Sequence, residues 1–190
     1  MSWRKEERRA ERGYHHGNLK EALLQAALDL IAQKGAAGFT FADAARMAGV
    51  SPAAPYRHFR DRDELLSSIA QRGFEQFEAQ LSAAWDDGRP DTVTAFERVG
   101  KAYLAFARTE PAFYSAMFES GVAADSTAGL LAAGERAFGV IRAAAERLAA
   151  LAPPSVPRPP ALMMALHIWS MAHGIASLFA RGDAARRKLP

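Results

Sequence analysis

The segment TFADAARMAGVSPAAPYRHF, residues 40–59, decides the fold of this chain. Thr40, with Asp43 three residues later, is typical of a capping box and predicts the start of a short helix. Gly49 predicts the end of that helix, because glycine adopts a left-handed backbone without steric cost. Ser51 can cap a second helix directly afterwards. Two short helices joined by a turn of about three residues predict a helix-turn-helix.

The second helix of such a motif lies in the major groove of DNA, and its side chains here suit that position. Ala53 and Ala54 are small enough to let a helix approach base edges and thymine methyl groups. Tyr56, Arg57 and His58 carry donors that reach phosphate oxygens. A plain helical hairpin in an all-α bundle is the alternative interpretation of the same stretch.

Two prolines affect the second helix in opposite ways. Pro52 falls at its first position, where the missing N–H is not needed. Pro55 removes a donor from the first turn, so we expect the helix to be short and irregular. The predicted DNA contacts are Thr40, Arg46, Ser51, Pro52, Ala53, Ala54, Tyr56, Arg57, His58 and Arg62.

Composition limits the remaining possibilities. The 190 residues contain no cysteine, which excludes disulfides, zinc fingers with cysteine ligands and cysteine nucleophiles, and agrees with a cytoplasmic location. The net charge is +3, and basic residues gather around the motif, where DNA phosphates would attract them. No G-x-S-x-G, P-loop or H-E-x-x-H motif occurs, so we expect no enzyme activity, no metal site and no cofactor.

Helical periodicity along the chain predicts an all-α fold with two parts. Residues 1–17 form a polar arm that either reaches a minor groove or is a solvated tail. A three-helix DNA-binding head is expected over 18–66. A long helix from Asp61 to about Trp85 joins it to a C-terminal bundle over 67–190, which is expected to bind a ligand and to dimerise.

The last predicted helix, from Ala161 to Ala180, contains no Asp, Glu, Lys or Arg. Its length and apolarity would allow a membrane span. Small and polar residues recur along it, however, which favours a helix buried between its own domain and a second copy of the chain. We therefore predict no membrane partner and a dimer interface at Ser170, His173, Gly174 and Ser177.

The chain resembles the TetR/AcrR family of bacterial regulators at Gly49-Val50-Ser51, at Tyr56-Arg57-His58-Phe59 and at Arg62 with Leu65-Leu66. Pro55 departs from the pattern, which usually has an aliphatic residue there. Trp169-Ser170-Met171-Ala172-His173-Gly174 is similar to the Trp-x-x-x-His-Gly signature of one subgroup's C-terminal domain, and Tyr14 to Leu19 resembles that subgroup's opening.

The resemblance implies a homodimeric transcriptional repressor that binds a near-palindromic DNA operator and a small-molecule effector. Aromatic and flexible side chains in the C-terminal part would suit an apolar or aromatic effector. The candidates are Phe74, Tyr103, Phe106, Phe113, Met117, Phe118, Met164, His167 and Trp169, for which an ordinary hydrophobic core is the alternative. A regulator without ligand control, or an activator, remains open as well.

Overall fold

The computed structural model describes residues 19–153 and 155–179, and all regular structure in these ranges is helical. The α-helices are α1 (Leu19–Lys34), α2 (Phe41–Met47), α3 (Arg62–Trp85), α4 (Thr92–Thr109), α5 (Pro111–Phe118), α6 (Ala128–Ala150) and α7 (Ala161–Phe179). Short 3₁₀ turns lie at Pro55–Arg57 and Asp86–Gly88. The predicted all-α fold is confirmed. The polar arm lies outside the described residues.

The helix boundaries follow from local capping chemistry. Thr40 Oγ1 accepts a hydrogen bond from the Asp43 backbone N–H at 3.1 Å, and Asp43 Oδ2 accepts one from the Thr40 N–H at 3.0 Å. This is the predicted capping box of α2, and Gly49 follows with φ +72°. Asp61 starts α3 in a similar way, because its carboxylate accepts from the Glu64 N–H at 2.9 Å.

Helices α1, α2 and the first turns of α3 form the head, whose core is aliphatic with two phenylalanines. Phe39 and Phe59 are buried between the helices. Leu23, Ala27, Leu65 and Ile69 complete this cluster, together with Ala116 from α5. The head therefore shares part of its core with the C-terminal body.

Helix α3 connects the two parts directly. Its 24 residues span about 36 Å. Ile69 is buried in the head, whereas Phe77, Leu81 and Trp85 are buried in the body, among α4, α6 and α7. A rigid helix that belongs to both cores ties the orientation of the head to the packing of the body.

Helix α7 packs on its own domain through one face. Ala165 and Ala176 are its fully buried residues, and Trp169 joins the aromatic cluster of the body. The helix also exposes large apolar side chains: Leu162, Met163, Leu166, Met171, Ile175, Leu178 and Phe179. Among the described helices, α7 alone is long and apolar enough to cross a membrane by length and composition.

Candidate functional site

The second element of the helix-turn-helix is a series of turns, not an α-helix. The prediction that Ser51 caps a second helix is wrong, because Pro55 has no N–H to donate to the Ser51 carbonyl. That carbonyl accepts from the Ala54 N–H at 3.0 Å instead. The Pro55 carbonyl then accepts from His58 N–H at 2.9 Å and Phe59 N–H at 3.0 Å. The expectation of a short, irregular element is thereby confirmed.

Buried anchors hold this irregular element against the head. Pro55 and Phe59 are both buried, so the residues between them point outward. Tyr56 is 63% exposed, and its ring contacts Phe41 edge to face at 5.0 Å between centroids. The exposed predicted DNA contacts here are Ser51, Pro52, Ala53, Tyr56, Arg57 and His58, with Ala54 half-buried beside them.

The two arginines of the motif, Arg46 and Arg57, differ in whether they form an ion pair within the protein. Arg46 lies on α2, 78% exposed, and pairs with Asp43 at 3.2 Å. Hydrogen bonds from the Thr40 backbone and hydroxyl lower the pKa of Asp43, so its carboxylate is ionised at neutral pH. Arg57 makes no salt bridge within residues 19–153 and 155–179. A DNA phosphate can therefore bind the Arg57 guanidinium without first breaking an ion pair with a carboxylate.

Arg62 differs from the prediction, which placed it at the DNA. Its guanidinium points into the head, where Nε donates to the Phe39 carbonyl at 3.0 Å and Nη2 donates to the Ala36 carbonyl. The same group lies 4.9 Å from the centroid of the Phe39 ring. Arg62 thus braces the loop between α1 and α2. Its donors are engaged within the protein because α3 begins directly beside that loop.

The predicted effector residues of the body mostly pack against one another. Phe77, which is not among the predicted residues, contacts Tyr103 at 4.9 Å and Phe106 at 5.0 Å between ring centroids. The Trp169 ring lies 5.6 Å from that of Tyr103, edge to face. Phe74, Tyr103 and Phe106 are buried, whereas His167 is exposed. The half-buried members are Phe113, Met117, Phe118, Met164 and Trp169. Close ring packing leaves little space at the centre of this cluster.

Two cavities lie beside the aromatic cluster. An outer cavity of about 210 Å³ between α4, α6 and α7 is almost wholly apolar and includes Val99, Tyr103, Ile141, Ile168 and Ile175 in its lining. Tyr103 is the one predicted effector residue in this lining. The other lining residues are mostly aliphatic, with Phe96 and Met171 among them, and the sequence analysis did not single them out. A junction cavity of about 180 Å³ lies between the head and the body, lined by Ile31, Ala32, Pro111, Tyr114, Glu119 and Ser177 among others.

His173 lies between the two cavities. Its Nδ1 is 2.8 Å from the Tyr114 hydroxyl and 3.3 Å from that of Tyr103, and its Nε2 is 3.4 Å from Ser177 Oγ. Burial lowers the pKa of His173, against an opposing effect of the Glu119 carboxylate. Burial also raises the pKa of both tyrosines. The imidazole predicted for the dimer interface thus makes its contacts inside its own body.

Two family models match this chain. Residues 23–69 match the one described as "Bacterial regulatory proteins, tetR family", and residues 96–188 match "Tetracyclin repressor-like, C-terminal domain". The chain belongs to the TetR family of bacterial regulators. A TetR-family chain is a transcription regulator with a DNA-binding head, and its fold is that of regulators and not of enzymes.

Solved structures agree with the TetR-family fold. A protein of unknown function from Rhodococcus sp. RHA1 is 31% identical, with 93% of this chain and 89% of that chain covered and a TM-score of 0.72. The TetR family transcriptional regulator PfmR from Thermus thermophilus is 21% identical, with coverage of 87% and 93% and a TM-score of 0.68. AibR, solved in complex with isovaleryl coenzyme A and operator DNA, is 16% identical, with coverage of 85% and 87% and a TM-score of 0.67. The similarities to PfmR and AibR, at 21% and 16% identity, show a shared fold alone.

Among curated proteins, the nucleoid occlusion factor SlmA of Aliivibrio fischeri is 32% identical over 95 residues. That match covers 50% of this chain and 48% of the relative. SlmA of Vibrio cholerae is 30% identical over the same length. The chain therefore spans about half the length of the curated relatives it matches.

On this TetR-family chain, the small residues predicted at the dimer interface lie toward the outward side of α7. Ser170 is exposed, and a Cβ added at Gly174 would meet no atom within 4 Å. Ser177 is exposed as well, but it also lines the junction cavity and contacts His173. The exposed apolar side chains of α7, such as Leu166 and Leu178, extend this surface.

Proposed function

We propose that this chain is a homodimeric, effector-responsive transcriptional repressor that binds a near-palindromic operator. The observation that carries the proposal is the exposed surface around Tyr56 and Arg57, held outward by the buried Pro55 and Phe59. Arg57 has no ion-pair partner in the described chain, and Tyr56 presents a hydroxyl at the protein surface. Such a surface binds phosphate and leaves small side chains next to the bases.

Within this surface, the residues have different tasks. Tyr56, Arg57 and His58 bind phosphate oxygens and position the head. Ala53 and Ala54, together with Pro52, form the part that approaches base edges. Ser51, Thr40 and Arg46 flank it, whereas Arg62 braces the head from inside. Because the second element is a series of turns, few side chains of one head reach bases, and one head contacts only a few base pairs.

A second copy of the chain supplies the missing contacts. Two heads spaced about one DNA turn, 34–36 Å, bind two half-sites, which makes the operator a near-palindrome. The outward side of α7 is the proposed interface, with Ser170, Gly174 and Ser177 among exposed apolar side chains. An apolar face of this kind is unfavourable in water and is covered when two copies pair.

The effector of the proposed repressor binds in the C-terminal body. An apolar outer cavity suits an apolar or aromatic molecule. Helix α3 is shared by both cores, so a change in the packing of the body alters the spacing of the heads. A coupling on the order of 1–3 kcal/mol would change operator affinity by about 5–150-fold. The proposed site of action is the cytoplasm.

Binding of the purified protein to the DNA that flanks its own gene, across a salt series, tests this function. We expect tight binding to a near-palindrome that weakens steeply with salt, because phosphate contacts release counterions. Binding equal to that of a random duplex, with dimerisation verified, would refute the proposal. Operator binding that no tested ligand changes would favour a regulator without ligand control, and transcription that rises on binding would favour an activator.

A further inference from the structure

The first residues of the second helix-turn-helix element form an apolar patch, Pro52, Ala53 and Ala54. Pro52 and Ala53 are exposed, and Ala54 is half-buried beside them. None of these three side chains carries a hydrogen-bond donor or acceptor. The part of the element that approaches the bases in the proposed function therefore presents methyl and methylene groups, and no polar side chain.

The backbone of the apolar patch adds little hydrogen bonding that could select a base. Pro52 has no N–H, and the Ala54 N–H donates to the Ser51 carbonyl at 3.0 Å. The Ala54 carbonyl accepts from the Arg57 N–H at 3.2 Å. The remaining backbone groups of the patch are single donors or acceptors. Such groups do not distinguish A·T from G·C, because both base pairs present acceptors and donors in the major groove.

The polar side chains next to the apolar patch have other tasks. The Ser51 hydroxyl is both donor and acceptor, so it suits any base pair. Tyr56, Arg57 and His58 follow the buried Pro55, and the proposed function assigns them to phosphates. The feature that the patch itself can recognise is the C5-methyl group of thymine, which is the apolar group that a base presents in the major groove.

We propose that the apolar patch reads thymine methyl groups, so that each operator half-site contains a thymine opposite Pro52 and Ala53. The inference rests on the proposed function and deepens it, because it names the base feature that the helix-turn-helix surface selects. Burial of one methyl group corresponds to about a fourfold change in affinity. A thymine at the same position of both half-sites therefore contributes about sixteenfold.

Replacing thymine with uracil tests this, because it removes the methyl group and keeps the hydrogen-bonding groups of the base. The full-length protein first selects an operator from a pool of random duplexes, and we expect a thymine at a fixed position of each half-site. Each thymine of the selected duplex is then replaced with uracil. We expect a loss of about fourfold in affinity for one replacement at the contacted position, and of about sixteenfold for the symmetric pair.

Two exposed residues of the same element provide a variant and its matched control. Ala53→Gly removes a methyl group from the apolar patch, so the ratio of the affinities for the thymine and uracil duplexes should fall towards one. Arg57→Ala should weaken binding to both duplexes and leave their ratio unchanged, because a phosphate contact carries no sequence information. An unchanged ratio in Ala53→Gly, or an equal fall of the ratio in both variants, would refute the assignment to the patch.

Three other outcomes overturn the inference. Equal affinity of the parent protein for the thymine and uracil duplexes would refute methyl recognition and leave the proposed function intact. A larger loss with 7-deazaguanine, which lacks the N7 acceptor, would assign selection to a hydrogen bond, such as one from Arg57. If the protein selects no sequence from the pool, the proposed function fails, and methyl recognition fails with it. The parent protein alone decides the uracil comparison, so it holds even where a variant does not fold.

Discussion

Arg62 and Arg57 lie five residues apart in a basic segment, yet the structure gives them different roles. Replacing Arg62 with alanine removes two hydrogen bonds to the carbonyls of Phe39 and Ala36 and the contact with the Phe39 ring. Hydrogen bonds from charged groups contribute about 1.5–3 kcal/mol each, and the Arg62 side chain is 26% exposed, which reduces their effect. We expect a loss of about 2 kcal/mol in the free energy of unfolding. For a chain of this size that lowers Tm by about 4–8 °C.

Replacing Arg57 with alanine is the matched control. Its side chain is exposed and makes no ion pair within the described chain, so its free energy of unfolding should change by less than about 0.5 kcal/mol. Its operator affinity should fall, and the slope of log affinity against log salt should decrease by about one phosphate contact. Urea unfolding and filter binding across salt measure both quantities. A stable Arg62→Ala protein with a reduced salt slope would refute the bracing role.

Three further perturbations test the packing, the polar centre and the interface. Gly73→Ala places a Cβ 2.7 Å from Met117 Sδ, so thermal unfolding should show a loss of about 1–3 kcal/mol in the free energy of unfolding. Gly100→Ala, where the added Cβ meets open space, should be neutral or stabilising. Equal effects of the two substitutions would contradict the close contact between α3 and α5. The pKa of His173 is depressed in the folded state, so its contribution to stability is present above about pH 6.5 and is lost as pH falls. The Tm of the wild-type protein should therefore drop more steeply toward pH 5 than the Tm of His173→Asn. Parallel pH profiles of the two proteins would refute this role of His173. Leu166→Glu puts a charge on the exposed surface of α7 and should yield monomers in analytical ultracentrifugation. The control Leu166→Met should remain dimeric. If Leu166→Glu also remains dimeric, the interface lies elsewhere.

Local sequence signals were sufficient for most of the fold. Caps are short-range chemistry, so Thr40 with Asp43, and Asp61 before α3, indicate helix starts without knowledge of the tertiary structure. Glycine at positive φ is equally local, and Gly49 ends the first helix of the motif as expected. The second element was harder, because Ser51 and Pro52 are typical of a helix start while Pro55 removes a bond within the same turn. Because Pro55 has no backbone N–H, the second element is a series of turns and not an α-helix.

The site depended on contacts between residues far apart in sequence, which local patterns do not report. Arg62 was expected at the DNA because it lies in a basic segment, but its carbonyl partners lie 23 and 26 residues earlier. His173 could be placed on a helix from the sequence, yet its partner Tyr114 is 59 residues away. The mostly aliphatic lining of the outer cavity has the composition of an ordinary hydrophobic core. The predicted effector residues were therefore mostly aromatic, and most of these side chains pack against one another in the core of the body.

We propose that two copies of this TetR-family chain present their helix-turn-helix surfaces to one operator. A hydroxyl-radical footprint of the full-length protein on the operator measures this directly. We expect two protected patches that are related by a dyad and spaced about 34–36 Å along the duplex. Both patches should disappear together in a monomeric variant. One patch, or uniform protection independent of sequence, would show that two copies do not bind one operator in this way.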